Sequence, residues 1–585
     1  MKLIFRFMKP YAKTIALAVF LKFIGTVMEL TLPYILEHII DVKVPEGNIR
    51  EVILWGGLMF LGAALTWVGN ATANHEAVKN AHNVSYDARQ ALFEKTMNLS
   101  GKQFDSFGLP SIISRMTSDS YNLQTAAVQL QALCVRAPMM LIGGLIMMLT
   151  MDVHLSLILV CMLPFLFAII LLISSKGIPL YKKVQERLDD VVRIMREDIT
   201  GIRVVKALSK TEYEKRRFKK ANEDMTESDI YAGTTMAVPG PLMQLLLNFG
   251  LAAVVYIGAR RVNAGLTEPG VILAFLTYFN MITMGVMGLN RIFISLSKAS
   301  ASANRMAEVI DTPIDEDILP PSEGKTPAGP EFIRFEHVTF SYVAESEQNT
   351  ENFAGEERQN ALSDIDFSIK KGESLGIIGP TGCGKTTIIN LLMHFYDATE
   401  GGVFVDGRDV RTYPKDELHK KFGTVFQNDM VFQDTLYENI NFGRDLPDAD
   451  VKSAVADAQA AEYVSGLSDG LSHMASIKGA NLSGGQKQRL LVARALAGNP
   501  EILVLDDSSS ALDYKTDASM RKAIAENHKD TTLIMIAQRV SSIMNLSHIL
   551  VLDNGACIGY GTHEELLASC PEYKEIYDAQ MGALN

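Results

Sequence analysis

Six apolar stretches of about 20 residues, all in the first half of the chain, limit what this sequence can become. They lie near residues 15–34, 52–73, 129–150, 155–174, 241–258 and 271–292. At ~1.5 Å per helical residue, each can cross the ~30 Å hydrocarbon core of a bilayer. Residues 1–295 are therefore expected to form an all-α, six-helix transmembrane domain surrounded by membrane lipid. Short loops join the spans in pairs, while residues 75–128 and 175–240 are long, polar and helix-patterned. The second of these segments carries 14 Lys and Arg between residues 175 and 238, whereas the short loop 35–51 carries only Lys43 and Arg50. That asymmetry puts the long segments in the cytosol, and an even number of spans returns both termini there. Each long segment reads as a helical hairpin, turning near Phe107-Gly108-Leu109-Pro110 and near Thr200-Gly201. Arms of about 28 residues reach roughly 40 Å, far enough to touch a separate cytosolic domain. Residues 1–12 are short, basic and amphipathic, which predicts an interfacial helix and no cleavable signal peptide.

The remainder changes character. With 585 residues the chain is too long for one domain, and its 48% hydrophobic content is concentrated in the first half. Residues 296–330 run from Ser/Ala-rich to acidic to proline-bearing (Pro320, Pro321, Pro327, Pro330) and read as a linker. In residues 331–585 short apolar strands alternate with helices, the pattern of an α/β domain with a parallel sheet. Residues 344–360 are a polar, acidic insertion, expected to be a solvated loop. The five cysteines (134, 161, 383, 557, 570) have neither metal nor disulfide spacing. The net charge is −12, and no basic stretch interleaved with aromatics points to nucleic acid.

The soluble half carries a phosphate-binding string, Gly379-Pro380-Thr381-Gly382-Cys383-Gly384-Lys385-Thr386-Thr387, of the form G-x-x-x-x-G-K-T. It follows an apolar strand and opens an apolar helix, the order such a loop requires. Successive backbone N–H groups and the helix N-terminus can cradle the phosphates of ATP. Lys385 adds a point charge on the β and γ oxygens, and Thr386 offers a hydroxyl to Mg²⁺. Cys383 in this loop calls for a reducing cytosol.

Leu482-Ser483-Gly484-Gly485-Gln486, taken with that loop, Gln427 and Asp506, resembles the ABC ATPase family. Six spans ahead of one such domain resemble an ABC half-exporter over essentially the whole chain, most closely the heterodimeric multidrug-type exporters. The resemblance implies residue roles. Tyr342 would stack on adenine; Gln427 would reach Mg²⁺ and sense the membrane domain; Asp506 would complete the Mg²⁺ site with Thr386. Ser510 and Asp513 would form the loop that crosses between two nucleotide domains. Ser483, Gly484, Gly485 and Gln486 would meet the γ-phosphate of ATP held by a second half-transporter. The hairpin tips, Phe104 through Arg115 and Ile202 through Ala207, would couple the domains.

Two departures from the family pattern fall on one site. Asp507 stands where the family has its catalytic Glu, and Gln538 where it has its switch His. Asp is one methylene shorter, which withdraws the carboxylate by ~1 Å, a misplacement that can cost ~10²-fold. Gln can hydrogen-bond a phosphate but cannot carry a proton or charge. The expectation is the degenerate-site half of a heterodimeric ABC exporter, an ATP-hydrolysing translocase as part of a complex. Its partner would bear the intact Glu and His, its substrate would be amphipathic (drug, lipid or peptide), and its site would be a bacterial plasma membrane. The alternatives are a non-pumping ATP-gated regulator or channel-like protein, and a homodimeric exporter. In the spans, Glu29 and Lys22 share a helix face, and Arg136 lies in the third. Glu29 either lines a cation-accepting substrate cavity or pairs with another helix. Phe275, Phe279, Met281, Met284, Met287 and Asn290 either form an adaptable pocket or pack against their surroundings.

Overall fold

The computed structural model describes residues 1–313, 319, 324, 325, 327, 329, 331–342, 360–508 and 511–581, less the side chains of 170–174, 177, 178, 239 and 290. Ser510, the Asn290 side chain, nearly all of the acidic insertion and much of the proline-bearing stretch lie outside that set. The chain divides into two compact units, Met1–Met97 with Pro110–Thr312, and Asn98–Leu109 with Pro313–Asn585.

The first unit is helical. Its elements are α1 (Lys2–Met8), α2 (Ala12–His38), α3 (Ile49–Met97), α5 (Leu109–Ser114), α6 (Ser120–Met151), α7 (Val153–Thr200), α8 (Ile202–Ala207), α9 (Thr211–Ala237), α10 (Pro239–Asn263) and α11 (Pro269–Ile310); α4 (Gly101–Phe107) belongs to the second unit. Among the described residues, five helical stretches are long and apolar enough to cross a membrane, and the apolar helix Val153–Ile169 opens α7. All six expected windows thus fall on helices. Lipid gives helices no hydrophobic reason to associate, so close packing must hold them. Gly25 and Gly69 let α2 and α3 touch: a Cβ on Gly69 would sit 3.2 Å from the Gly25 Cα. Gly285 does the same for α11 on α6, where a Cβ would come within 2.9 Å of the Ala137 carbonyl.

Polar groups pin these contacts. Glu29 accepts from Arg136 at 2.8 Å, Lys22 donates to Asn74 at 2.9 Å, and Tyr278 donates to the Leu30 carbonyl at 2.6 Å. The structure thus displays the pairing arrangement for Glu29. Asp41 accepts from the backbone N–H groups of Gly270 (2.6 Å) and Val271 (3.1 Å). It caps α11, whose own N-cap residue Glu268 makes no side-chain cap bond. Asp41→Ala should therefore lower the thermal midpoint by a few degrees, the result of losing roughly 1–2 kcal/mol of capping. Asp41→Asn should retain most of it, and a midpoint unmoved by Asp41→Ala would show the cap to be idle.

The stretch read as a linker begins later than expected. Residues 296–310 continue α11, because Ala299, Ser302, Ala303 and Met306 are all buried along one helical face. Ser302 donates to Asp119 at 2.8 Å, and Arg115 of the π-turn Arg115–Asp119 pairs with Glu308. Small residues here serve helix packing rather than flexibility.

The second unit holds two sheets. Strands β1 (Ile333–Phe340), β2 (Leu362–Ile369), β4 (Glu400–Val405) and β5 (Arg408–Asp409) form an antiparallel sheet in the order β2-β1-β4-β5. The strands β3 (Ser374–Ile378), β6 (Phe422–Val425), β7 (Ile502–Asp506), β8 (Thr532–Ile536), β9 (His548–Asp553) and β10 (Ala556–Gly561) form the main sheet, ordered β10-β9-β3-β8-β7-β6. Five of its strands are parallel and β10 is antiparallel. The expected parallel sheet is present, with a hairpin edge and a second, antiparallel sheet beside it. Strands β3, β8, β7 and β6 are neighbours, so the loops leaving their C-terminal ends converge, the place where open α/β sheets bind ligands.

Candidate nucleotide site

Those four loops carry the sequence-predicted residues. The phosphate loop follows β3, Gln538 follows β8, Asp506 ends β7 with Asp507 just beyond it, and Gln427 follows β6. Together they line a cavity of about 580 Å³, with Tyr342, Gly379, Thr381, Gly382, Gly384, Lys385, Thr386 and Thr387 all on its wall. Cys383 is buried beneath the loop rather than on that wall, and burial pushes its thiol pKa up.

The loop can only be built this way with glycine at Gly384. Its φ of 99° is left-handed, and a Cβ there would lie 2.6 Å from the Ala361 carbonyl. Lys385 folds back so that its ammonium donates to the carbonyls of Gly379 (2.9 Å) and Pro380 (2.7 Å), which holds the charge over the loop mouth. The Thr386 hydroxyl donates to Asp506 at 3.0 Å. These two hard oxygen donors, side by side next to a nest of N–H groups, fit a Mg²⁺ ion that bridges protein and phosphate.

Tyr342 stands half-exposed at the cavity edge. Its ring meets Phe340 and Tyr396 edge-on, and its hydroxyl lies 3.2 Å from the Thr387 hydroxyl and accepts from Asn390 at 3.3 Å. Tyr396 in turn donates to Asp105 of α4, and a Cβ on Gly101 would meet the Phe395 carbonyl at 3.1 Å. The first hairpin tip is thereby fastened, within this unit, to the segment that follows the phosphate-loop helix.

Asp507 has a left-handed φ of 52°, and its carboxylate accepts from the Gln538 amide at 2.9 Å. Burial pushes the carboxyl groups of both Asp506 and Asp507 above the usual carboxylate range. The Thr386 hydroxyl opposes that shift in the first and the Gln538 amide in the second.

Ser483 is the N-cap of the helix Gly484–Leu496 and closes a reciprocal capping box with Gln486. It is exposed, and Ser483, Gly484, Gly485 and Gln486 do not line the cavity of this chain's own phosphate loop. Asp513 caps the helix Tyr514–Asn527, accepting from Thr516 at 2.9 Å. Further contributors were missed from sequence. Ala361, Ile378, Ile536 and Ile576 line the cavity, and Gln580 bonds the segment that carries Gln538. The available signal was the stripe Tyr573, Ile576, Tyr577, Gln580 at helical spacing, with a glutamine where an apolar residue would extend the face.

Both halves of the chain match known families. A model described as "ABC transporter transmembrane region" matches residues 15–286, and one described as "ABC transporter" matches residues 362–510. The uncharacterized ABC transporter ATP-binding protein YfiB of Bacillus subtilis is 32% identical over 98% of both chains. The putative ABC transporter ATP-binding protein exp8 of Streptococcus pneumoniae is 30% identical over 100% of this chain and 98% of its own. In fold, a solved bacterial Atm1-family ABC exporter with ATP bound superimposes with a TM-score of 0.79 at 21% identity, covering 97% of this chain and 98% of that one.

Proposed function

This chain belongs to the ABC transporter family, a half-transporter with its transmembrane region fused to one ATP-binding domain, and on that premise we propose that it is the weakly hydrolysing half of a heterodimeric exporter. It is a multi-pass membrane protein whose nucleotide domain lies in the cytosol. The reading is that ATP binding closes this domain on a partner's, the hairpin tips carry closure to the spans, and an amphipathic substrate is exported.

The observation that supports it most is the Asp507–Gln538 pair. Hydrolysis needs a carboxylate free to orient the attacking water. Here the carboxylate is on a short side chain, and its oxygen already accepts the Gln538 amide at 2.9 Å. Among the described residues, the group that stands beside it is the Gln538 amide, which cannot carry a proton as an imidazole does. Lys385, the loop N–H groups and Tyr342 would supply most of the hold on ATP, with Asp507 and Gln538 meeting only its γ-phosphate end. Thr386, Asp506 and Gln427 would hold Mg²⁺, which when bound neutralises charge on the β- and γ-phosphates. Separately, Ser483 and the first N–H groups of its helix present donors away from this cavity, suited to a γ-phosphate held by another chain.

The test is ATP turnover by the purified full chain, free of any second subunit, against the complex with whatever half-transporter associates with it. The chain alone should turn over ATP at least ~10²-fold more slowly than the complex, the penalty for a misplaced carboxylate. Turnover by the chain alone at the rate of the complex would establish the homodimeric alternative instead.

A further inference from the structure

The switch segment 538–540 is not self-supporting. It opens the one-turn helix Val540–Ile543, whose N-cap residue is Arg539 and whose first turn receives no side-chain cap from its own sequence. A helix start of this kind leaves N–H donors to be satisfied from elsewhere. The C-terminal helix Pro571–Met581 supplies the acceptor. The Gln580 carboxamide oxygen accepts from the Val540 N–H at 2.7 Å, and its nitrogen donates to the Gln538 carbonyl at 2.9 Å. One side chain thus spans the segment at two points, as a neighbouring β-strand would.

The clamp is anchored. Tyr573, two turns earlier on the same face, is fully buried, and its hydroxyl lies 2.7 Å from His563 Nδ1. Ile576, between anchor and clamp, reaches the wall of the nucleotide cavity. At the far end of the segment the Gln538 side chain holds Asp507. The connection therefore runs from the buried Tyr573 through Gln580 and the Gln538 backbone to the Asp507 carboxylate, with a hydrogen bond at each polar junction.

From this we propose that Gln580 is a positioning residue for the nucleotide site: it fixes the backbone at Gln538 so that the Gln538 amide and Asp507 are held in register with the γ-phosphate end of bound ATP. This rests on reading Gln538 as the switch position of the family. The side chain of Gln580 does not itself line the cavity, so its effect must pass through Gln538. Loss of the clamp should be felt by a triphosphate, which extends to Asp507 and Gln538, and hardly by a diphosphate.

The experiment uses the purified full chain, which carries one phosphate loop, with ADP and a non-hydrolysable ATP analogue as probes, each with Mg²⁺. Gln580→Ala should weaken the analogue roughly three- to tenfold, the scale of about one neutral hydrogen bond, since its two bonds act on the nucleotide only through Gln538, and leave ADP within about twofold. In a Gln538→Ala background it should do nothing further, because coupled residues do not add. Gln580→Met, which keeps the bulk on the helix, should behave as Gln580→Ala does. Amide hydrogen exchange over residues 538–544 without nucleotide should be faster in both variants. Equal weakening of both nucleotides, full additivity with Gln538→Ala, or unchanged exchange would each overturn the proposal. Because the analogue is not hydrolysed, none of these outcomes depends on whether the partner is a different chain; that question is answered by turnover of the chain alone.

Discussion

Ser483→Arg in the assembled transporter should reduce ATP turnover by roughly 10²–10³-fold, the scale on which removal of a preorganised donor at a reacting centre is felt. Ser483 does two things at once. Its oxygen accepts the Gln486 N–H at 3.3 Å, and its own N–H donates to Gln486 at 2.9 Å, so the helix Gly484–Leu496 begins at a fixed point with its first N–H groups facing outward. Gly485 completes the surface, since a Cβ there would sit 3.3 Å from the Ala511 carbonyl. Arginine removes the cap, at a cost of about 1 kcal/mol, and sets a long cation where a γ-phosphate must approach the helix end. Ser483→Ala should do less, losing the cap and the hydroxyl donor but leaving the approach open. Since this string is not on the wall of the chain's own cavity, nucleotide binding to the Lys385 loop should be unaltered in both variants. In the proposed heterodimer, damage to the partner's corresponding string should matter less, because it would complete only the site built on Asp507. If Ser483→Arg leaves turnover intact and the partner's variant abolishes it, the two sites have been assigned in reverse.

What could be read from the sequence divides along a physical line. The six spans were legible because a bilayer imposes one solution, a long apolar helix, whatever the neighbours. The phosphate loop was legible because Gly384 and Lys385 each answer a local requirement, a left-handed backbone and a charge at fixed spacing. What depended on residues distant in sequence was not legible. Asp41 caps a helix that starts 228 residues later. Residues 296–310 looked like a linker because Ala and Ser are frequent in both flexible segments and tight helix contacts, and only burial of Ala299, Ala303 and Met306 decides which. The Glu29–Arg136 pair required knowing that α2 and α6 face each other. Asp507 and Gln538 were identified as substitutions, yet their hydrogen bond follows from the adjacency of β7 and β8, which the alternation of strands and helices does not fix. Gln580 was hidden for the same reason: a glutamine on a helix near the end of a chain is unremarkable until its partners are seen.

Lys385→Ala should weaken ATP binding to this chain roughly 10- to 100-fold, in the range expected for a hydrogen bond to a charged group. The ammonium is already positioned. It donates to the carbonyls of Gly379 and Pro380, within the loop whose N–H groups form the rest of the cradle. A phosphate arriving there exchanges neutral carbonyl partners for anionic oxygens without the side chain having to be ordered anew, so most of the electrostatic gain is retained as affinity. Triphosphate should suffer more than diphosphate, because the added charge lies at the end the lysine serves. Lys385→Arg should not restore binding fully, since a broad planar guanidinium cannot reproduce a compact charge seated on two carbonyls of a tight turn. In the proposed heterodimer the variant should also slow turnover at the partner's site, although the LSGGQ serving that site is untouched, provided closure of the two nucleotide domains needs both to be loaded. Equilibrium binding to the full chain and steady-state turnover of the complex separate the two effects. Unchanged affinity in the first would remove the phosphate-loop assignment. Weakened binding with normal turnover would leave the loop in place and show that loading of this half is not required for the cycle.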